Sequence, residues 1–175
     1  EFNELEISLD PGAHWEVNGN VWCALLDYGS GIIEMVSGTF TADDLHDNGI
    51  YGTYILADET TVNLTNNDGY IDLNGSLTFN GGGTMNIYGG TSDSYWSYDG
   101  NASVTMDAGV LDFHDRGIRL WNGSYTITTD ISGGTIRTAK GLYGDNTGFN
   151  PTGGIVYCCS ASDGSLGLAP TNNFH

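Results

Sequence analysis

Residues 83–87 read Gly-Thr-Met-Asn-Ile, and the same arrangement, a glycine followed by an apolar residue at the third position, recurs along the chain. Further copies begin at residues 38, 109, 134 and 154, and a variant without the glycine begins at Thr60. Successive copies therefore start 20–26 residues apart. This step is the length of one coil of a β-solenoid, whereas a β-sandwich has no reason to repeat a motif at such a step.

The repeated motif predicts a ladder of stacked strands with one apolar face. Its third and fifth positions should point inward, since side chains alternate along a strand. The predicted core therefore contains Phe40, Val62, Leu64, Met85, Ile87, Leu111, Phe113, Ile136 and Val156. Fourth positions should point outward, which makes Asp112 and Arg137 neighbours on successive coils and predicts a weak surface ion pair.

The rest of the chain follows the same rhythm. Short runs alternate apolar and polar residues and are bounded by glycine, asparagine or aspartate, and no stretch has helical spacing. The fold class is therefore all-β, a parallel β-helix of seven or eight coils in one unit over residues 1–175. The leading glycine should allow the chain to turn a corner where a side chain would collide with the coil below.

The charge of the chain excludes several classes of function. Lys and Arg total 4 against 22 Asp and Glu, for a formal net charge of −18, and residues 1–115 contain neither Lys nor Arg. Such a surface repels nucleic acid and anionic membranes. No apolar run is long enough to insert into a membrane. The scarcity of lysine and the many Asn-Gly and Asp-Gly turns favour an extracellular location.

The two ends of the chain resemble one another. Residues 1–3 read Glu-Phe-Asn and residues 173–175 read Asn-Phe-His. Placing Phe174 on Phe2 gives a longer repeat of 172 residues. The sequence therefore predicts one unit cut from a longer tandem array, with neighbouring repeats of the same chain as its partners.

Several stretches resemble a repeat found in very large Bacteroidetes surface proteins that are exported by the type IX secretion system. They are residues 101–106 with 109–113, residues 131–139 and 149–154, and the closing Asn-Phe-His at 173–175. SprB-like gliding-motility adhesins belong to this group. The resemblance implies a right-handed solenoid and a structural or adhesive repeat of a secreted, cell-attached filament for gliding or surface attachment. It implies no catalytic residue.

Aromatic residues are the strongest binding candidates. Tyr95, Trp96 and Tyr98 lie in one short run, and Tyr95 and Trp96 cannot both point into the core of one strand. An exposed aromatic platform beside Asp and Asn suits stacking on the sugar rings of surface polysaccharides. The alternative is an aromatic cap over a loop.

A carbohydrate-active enzyme is the second hypothesis. Parallel β-helices host lyases and glycosidases that use clustered carboxylates, and the best cluster here is Asp112, His114, Asp115 and Arg116. A polar solenoid face that ends in a turn explains the same residues more simply, so we expect a protein that is not an enzyme.

The remaining candidates are a cation site and the cysteines. Asp44, His46, Asn48 and Gly49 resemble the start of a calcium loop, but Ile55 occupies the position of the bidentate ligand. Only weak Ca²⁺ binding, with Asp44 and Asp47 as the candidate ligands, and no resident cofactor are expected. Cys158 should face inward as a small hydrophobe and Cys159 outward. A disulfide from Cys23 to this pair is improbable within one solenoid, although contact between repeats, or a cross-link through Cys159, stays open.

Overall fold

The computed structural model describes residues 6–27, 31–45, 49–66, 71–89, 93–114, 116–121, 123–144 and 148–158. Within these ranges the chain forms short strands and no helix. The strands are β1 (Glu6–Ile7), β2 (His14–Asn18), β3 (Val21–Cys23), β4 (Leu25–Leu26), β5 (Ile32–Ser37), β6 (Thr39–Ala42), β7 (Gly49–Ile50), β8 (Thr53–Ala57), β9 (Thr61–Thr65), β10 (Asp72–Leu73), β11 (Ser76–Asn80), β12 (Thr84–Tyr88), β13 (Ser94–Trp96), β14 (Ala102–Met106), β15 (Val110–Phe113), β16 (Ile118–Leu120), β17 (Ile127–Ile131), β18 (Thr135–Thr138), β19 (Leu142–Gly144) and β20 (Ile155–Cys158).

Three parallel sheets of five to seven strands wind around one core, and β1 and β4 form a further parallel pair, so the predicted β-solenoid is confirmed. Sheet 1 has the order β17-β14-β11-β8-β5-β2, sheet 2 the order β20-β18-β15-β12-β9-β6-β3, and sheet 3 the order β19-β16-β13-β10-β7. Every third strand therefore pairs in parallel with the strand one coil away. Five coils, from β5 to β19, contribute to all three sheets, and partial coils precede and follow them. The expectation of about seven or eight coils therefore exceeds the five complete coils of the described residues.

The predicted inward ladder lies in sheet 2. Phe40 pairs with Val62, Val62 with Met85, Met85 with Leu111, and Leu111 with Ile136. Eight of the nine predicted core side chains are buried, all except Val156. Val156 is partly buried against the same cluster, because it belongs to β20, the last strand of the sheet. The regular stacking arises because each coil repeats the alternation of the coil below.

The leading glycine of the motif lies where the chain turns into sheet 2. Gly109 has a φ of +87°, and a Cβ atom there would collide with the carbonyl oxygen of Gly83 in the coil below. Both a left-handed backbone and close stacking therefore require glycine at this corner. Thr60 occupies the corner in the variant copy, where its hydroxyl donates a hydrogen bond of 2.7 Å to the carbonyl oxygen of Ala57.

The outward positions of sheet 2 form a polar ladder. The amide nitrogen Nδ2 of Asn86 donates to Oδ1 of Asn63 at 2.9 Å, and Nδ2 of Asn63 donates to the hydroxyl oxygen of Thr41 at 3.3 Å. In two further coils the predicted neighbours Asp112 and Arg137 lie in register, with Arg137 Nη1 3.5 Å from Asp112 Oδ2. These contacts join successive coils on the surface as the core ladder does inside.

Some predictions lie outside the described residues. They include the match between Phe2 and Phe174, on which the 172-residue repeat rests. Within the described ranges, no helix is long and apolar enough to cross a membrane.

Candidate functional site

The alternation of sheet 3 decides which of two adjacent aromatic residues faces outward. Trp96 pairs with Leu120 of the next coil and points inward, where it is completely buried. Its ring packs against Phe113, with 6.2 Å between centroids, and against Phe149 at 5.8 Å. The prediction of Trp96 as an exposed sugar-binding residue is therefore wrong, because its parity on β13 places it in the core.

The outward neighbours of Trp96 form a cluster of rings, here called the aromatic patch: Tyr95, Tyr98 and Trp121. The centroid of Trp121 lies 5.6 Å from Tyr95 and 5.3 Å from Tyr98, and the two tyrosines are 5.5 Å apart. Interplanar angles of 51–75° indicate edge-to-face and tilted contacts. Tyr98 is 42% and Trp121 40% exposed. Trp121 enters the patch from the following coil and was not predicted from the sequence.

Arg119 extends the aromatic patch along sheet 3. Its register partners are Tyr95 on one side and Tyr143 on the other, and its guanidinium carbon lies 5.8 Å from each ring centroid. Nε of Arg119 donates a hydrogen bond of 3.0 Å to Oδ2 of Asp93, and this bond raises the pKa of Arg119. The amide of Gly117 donates to the other oxygen of Asp93 at 3.1 Å. Two tyrosines and one carboxylate thus hold the guanidinium in place.

A buried carboxyl group lies next to Tyr95 on the neighbouring strand of sheet 3, one coil earlier. Asp72 is 3% exposed, and its Oδ1 accepts a 2.7 Å hydrogen bond from the backbone amide of Tyr95. Burial raises the pKa of Asp72 to about 7. The negative charge of Asp99 also raises this pKa, whereas the Tyr95 hydrogen bond and the positive charge of Arg116 lower it. The carboxyl group therefore anchors the strand that carries Tyr95.

The hypothetical catalytic cluster is only partly assembled. Asp112 Oδ2 lies 3.8 Å from Nε2 of His114 and 3.5 Å from Arg137, and the His114 ring stacks on Tyr88 at 4.3 Å. The second carboxylate of the hypothesis, Asp115, lies outside the described residues.

Arg116 differs most from the sequence-based prediction. The sequence suggested a turn or catalytic residue at the surface, but the side chain is completely buried. Its Nη2 donates to the carbonyl oxygen of Tyr88 at 3.3 Å, and its charge influences the Asp72 carboxyl group from two coils away. A buried guanidinium is not available to a polysaccharide at the surface, so Arg116 contributes to the interior.

The calcium candidates do not form a site in the described residues. Oδ1 of Asp44 accepts a 3.0 Å hydrogen bond from the amide of Leu45, and Asp47 lies outside the described residues. In the described part of the chain, no three acidic, histidine or cysteine side chains are grouped closely enough to hold a metal ion. Weak Ca²⁺ binding stays a prediction.

The two described cysteines occupy equivalent ladder positions at opposite ends of sheet 2. Cys23 lies in β3 and Cys158 in β20, six strand spacings or about 29 Å apart. That separation is too large for a disulfide between Cys23 and Cys158 within one chain. Cys23 is a buried free thiol, and burial, with the charge of Asp43, raises its pKa to about 11. Cys159 lies outside the described residues.

Sequence comparison finds a distant similarity to a bacterial protein. The chain is similar to the probable autotransporter YfaL of Escherichia coli (strain K12), with 23% identity over 181 residues. The match covers 99% of this chain and 13% of YfaL, so the chain spans a small part of that protein. No protein-family model and no solved structure matches the chain.

Proposed function

We propose that the chain is a rod-forming, adhesive segment of a large secreted protein on a bacterial cell surface. The observation that carries the proposal is the unbroken ladder of buried side chains through parallel, stacked coils. Such a stack is stiff and quasi-one-dimensional, and sheet 2 alone extends about 29 Å across its seven strands. Similarity to a probable autotransporter supports a surface location.

The finer proposal assigns the segment to a tandem array of the gliding-motility kind, exported by type IX secretion. The resemblance of residues 101–106, 109–113 and 131–139 to Bacteroidetes surface repeats supports it. A formal charge of −18 would keep neighbouring filaments apart. Neighbouring repeats of the same chain are the proposed partners, and nucleic acid and membrane lipid are not.

A structural role is also better supported than catalysis. Asp112 is engaged by Arg137 and lies beside His114, and Arg116 is buried. A β-helix glycosidase or lyase needs carboxyl groups that reach the scissile bond. We therefore assign Asp112 and Arg137 to the contact between two coils.

Antiserum against the chain tests the proposal on intact cells of the source organism. It should label intact cells, lose that label after brief external protease treatment, and detect a polypeptide far larger than 18.6 kDa on a denaturing gel. Labelling that requires permeabilised cells would refute the surface location. A single species of 18.6 kDa would refute the array, and labelling that persists without type IX secretion would refute that export route.

A further inference from the structure

The aromatic patch is larger than the fold requires. Trp96 already fills the core beneath sheet 3, so Tyr95, Tyr98 and Trp121 pack against one another on the outside of that sheet. Exposing aromatic rings to water is unfavourable in free energy, and exposed rings add nothing to the packing of the core. Three aromatic rings that contact one another on the surface of an acidic chain mark a candidate interaction site.

We infer that the aromatic patch, together with Arg119 and Asp93, binds a neutral polysaccharide. This inference rests on the proposed surface location and adds the class of ligand. Pyranose rings carry an apolar face of C–H groups that packs on aromatic faces, and Tyr98 and Trp121 offer the exposed ring area for it.

The polar groups beside the rings suit sugar hydroxyls. The Arg119 side chain is 52% exposed, and among the described residues its guanidinium makes only the hydrogen bond from Nε to Asp93. The Nη groups therefore point donors toward solvent at the edge of the patch. Because Asp93 and the two flanking tyrosines hold the guanidinium in place, little rotamer entropy is lost when it binds a hydroxyl.

The acidic charge of the chain favours a neutral polysaccharide over a polyanionic one. The chain has 22 acidic residues against 4 basic ones, and the guanidinium of Arg119 is already paired with a carboxylate. A polyanionic polysaccharide would be repelled by this surface. A neutral chain of hexoses or pentoses is not repelled. Its C–H faces can pack on the aromatic rings, and its hydroxyl groups can accept hydrogen bonds from the Arg119 Nη groups.

Affinity electrophoresis in native gels tests the inference. The purified chain is run in gels that contain a soluble β-glucan, a mannan or a xylan, with the polyanion alginate as a comparison. At least one neutral polysaccharide should retard the chain more than alginate does. Trp121→Ala and Tyr98→Ala should each weaken that retardation by roughly tenfold in apparent Kd, since each removes a stacking ring.

Two controls separate binding from folding. Trp22→Ala removes a tryptophan that is 49% exposed on sheet 2 and hydrogen-bonded to Asp43, and it should leave retardation unchanged. Thermal unfolding by circular dichroism should show that Tyr98→Ala is folded. If Trp121→Ala is unfolded, the Tyr98→Ala variant alone tests glycan binding by the aromatic patch.

The outcomes distinguish this inference from the proposed function. Mobility unchanged by all three neutral polysaccharides would overturn glycan binding, as would equal losses in the patch variants and the Trp22 control. Neither result affects surface labelling of intact cells, so the proposed surface rod does not depend on the glycan site. Retardation by alginate alone would also overturn the inference, because it would show that charge and not ring stacking selects the ligand.

Discussion

Replacement of Asp72 by asparagine should make the chain more stable at neutral pH than the wild type. The carboxyl group is 3% exposed and its pKa is raised from 3.8 to about 7, chiefly by burial. In the unfolded chain the group ionises near 3.8, whereas in the folded chain ionisation is delayed to about 7. This carboxyl group therefore favours folding most at low pH, and its contribution is lost as the pH rises from about 4 to about 7.

The magnitude follows from the size of the pKa shift. The shift is about three units, and each unit corresponds to about 1.4 kcal/mol, so the full cost of ionising Asp72 above pH 7 has an upper limit of about 4 kcal/mol. Asparagine has nearly the same shape, and its carbonyl oxygen can accept the hydrogen bond from the Tyr95 amide. Its extra buried N–H donors cost some stability, but that cost does not depend on pH.

Urea unfolding followed by tryptophan fluorescence measures the effect between about pH 5 and about pH 8, above the sequence pI of about 4.1. Across this range the stability of Asp72→Asn relative to wild type should rise by up to about 3 kcal/mol. Asp107→Asn is the matched control, since Asp107 is exposed and the variant makes the same change in charge. Parallel stability curves for wild type and Asp72→Asn, or a difference that shrinks as the pH rises, would refute the reasoning.

Three further substitutions test the ladders. Leu111→Ala should lower the free energy of unfolding by about 2–5 kcal/mol in urea titrations, whereas Val36→Ala at an exposed position should change it by less than about 0.5 kcal/mol. Gly109→Ala should cost about 1–3 kcal/mol and lower Tm, because φ is +87° and the new Cβ would meet the carbonyl oxygen of Gly83; an unchanged Tm would contradict that geometry. Asn86→Ala should cost about 0.5–1.5 kcal/mol by breaking the polar ladder at its half-buried amide, and stability within error of wild type would show that solvent replaces the bond.

The core of the solenoid could be predicted because two periodicities coincide. Alternation along a strand fixes which residues face inward, and the 20–26-residue step fixes which residues stack. Leu111 therefore had one possible orientation and one possible set of neighbours. Because each coil repeats apolar residues at its inward positions, the prediction did not depend on any one copy. A single irregular copy, such as the one at Thr60, therefore did not change it.

The aromatic patch was predicted only in part, because two adjacent aromatic residues do not show by themselves which of them faces inward. The signal lay one coil further along, in Ile118-Arg119-Leu120, where an arginine between two apolar residues must face outward. Stacking that triplet on β13 sets Tyr95 beside Arg119 and sends Trp96 inward with Leu120. Applying the repeat step to sheet 3 as well as sheet 2 would have revealed this orientation.

Arg116 could not be assigned from the same rules. A charged residue next to a glycine is usually exposed, and no periodicity marks the corner between sheets 2 and 3. Its guanidinium donates to the Tyr88 carbonyl oxygen and interacts with the Asp72 carboxyl group, which lie in two earlier coils. Such a contact belongs to the assembled stack and leaves no local signal in the sequence.

A solenoid separates the residues that determine stability from those that recognise a ligand. Inward positions are constrained by the coils above and below, whereas outward residues such as Trp121 and Tyr98 can change without disturbing the ladder. The patch variants should therefore lose binding while retaining Tm, and the core variants should do the reverse. In a tandem array each repeat would present the same weak site at a fixed spacing, so modest affinities would combine through effective concentration into firm attachment. Attachment by such an array could then be adjusted through the number of repeats as well as through the affinity of one site.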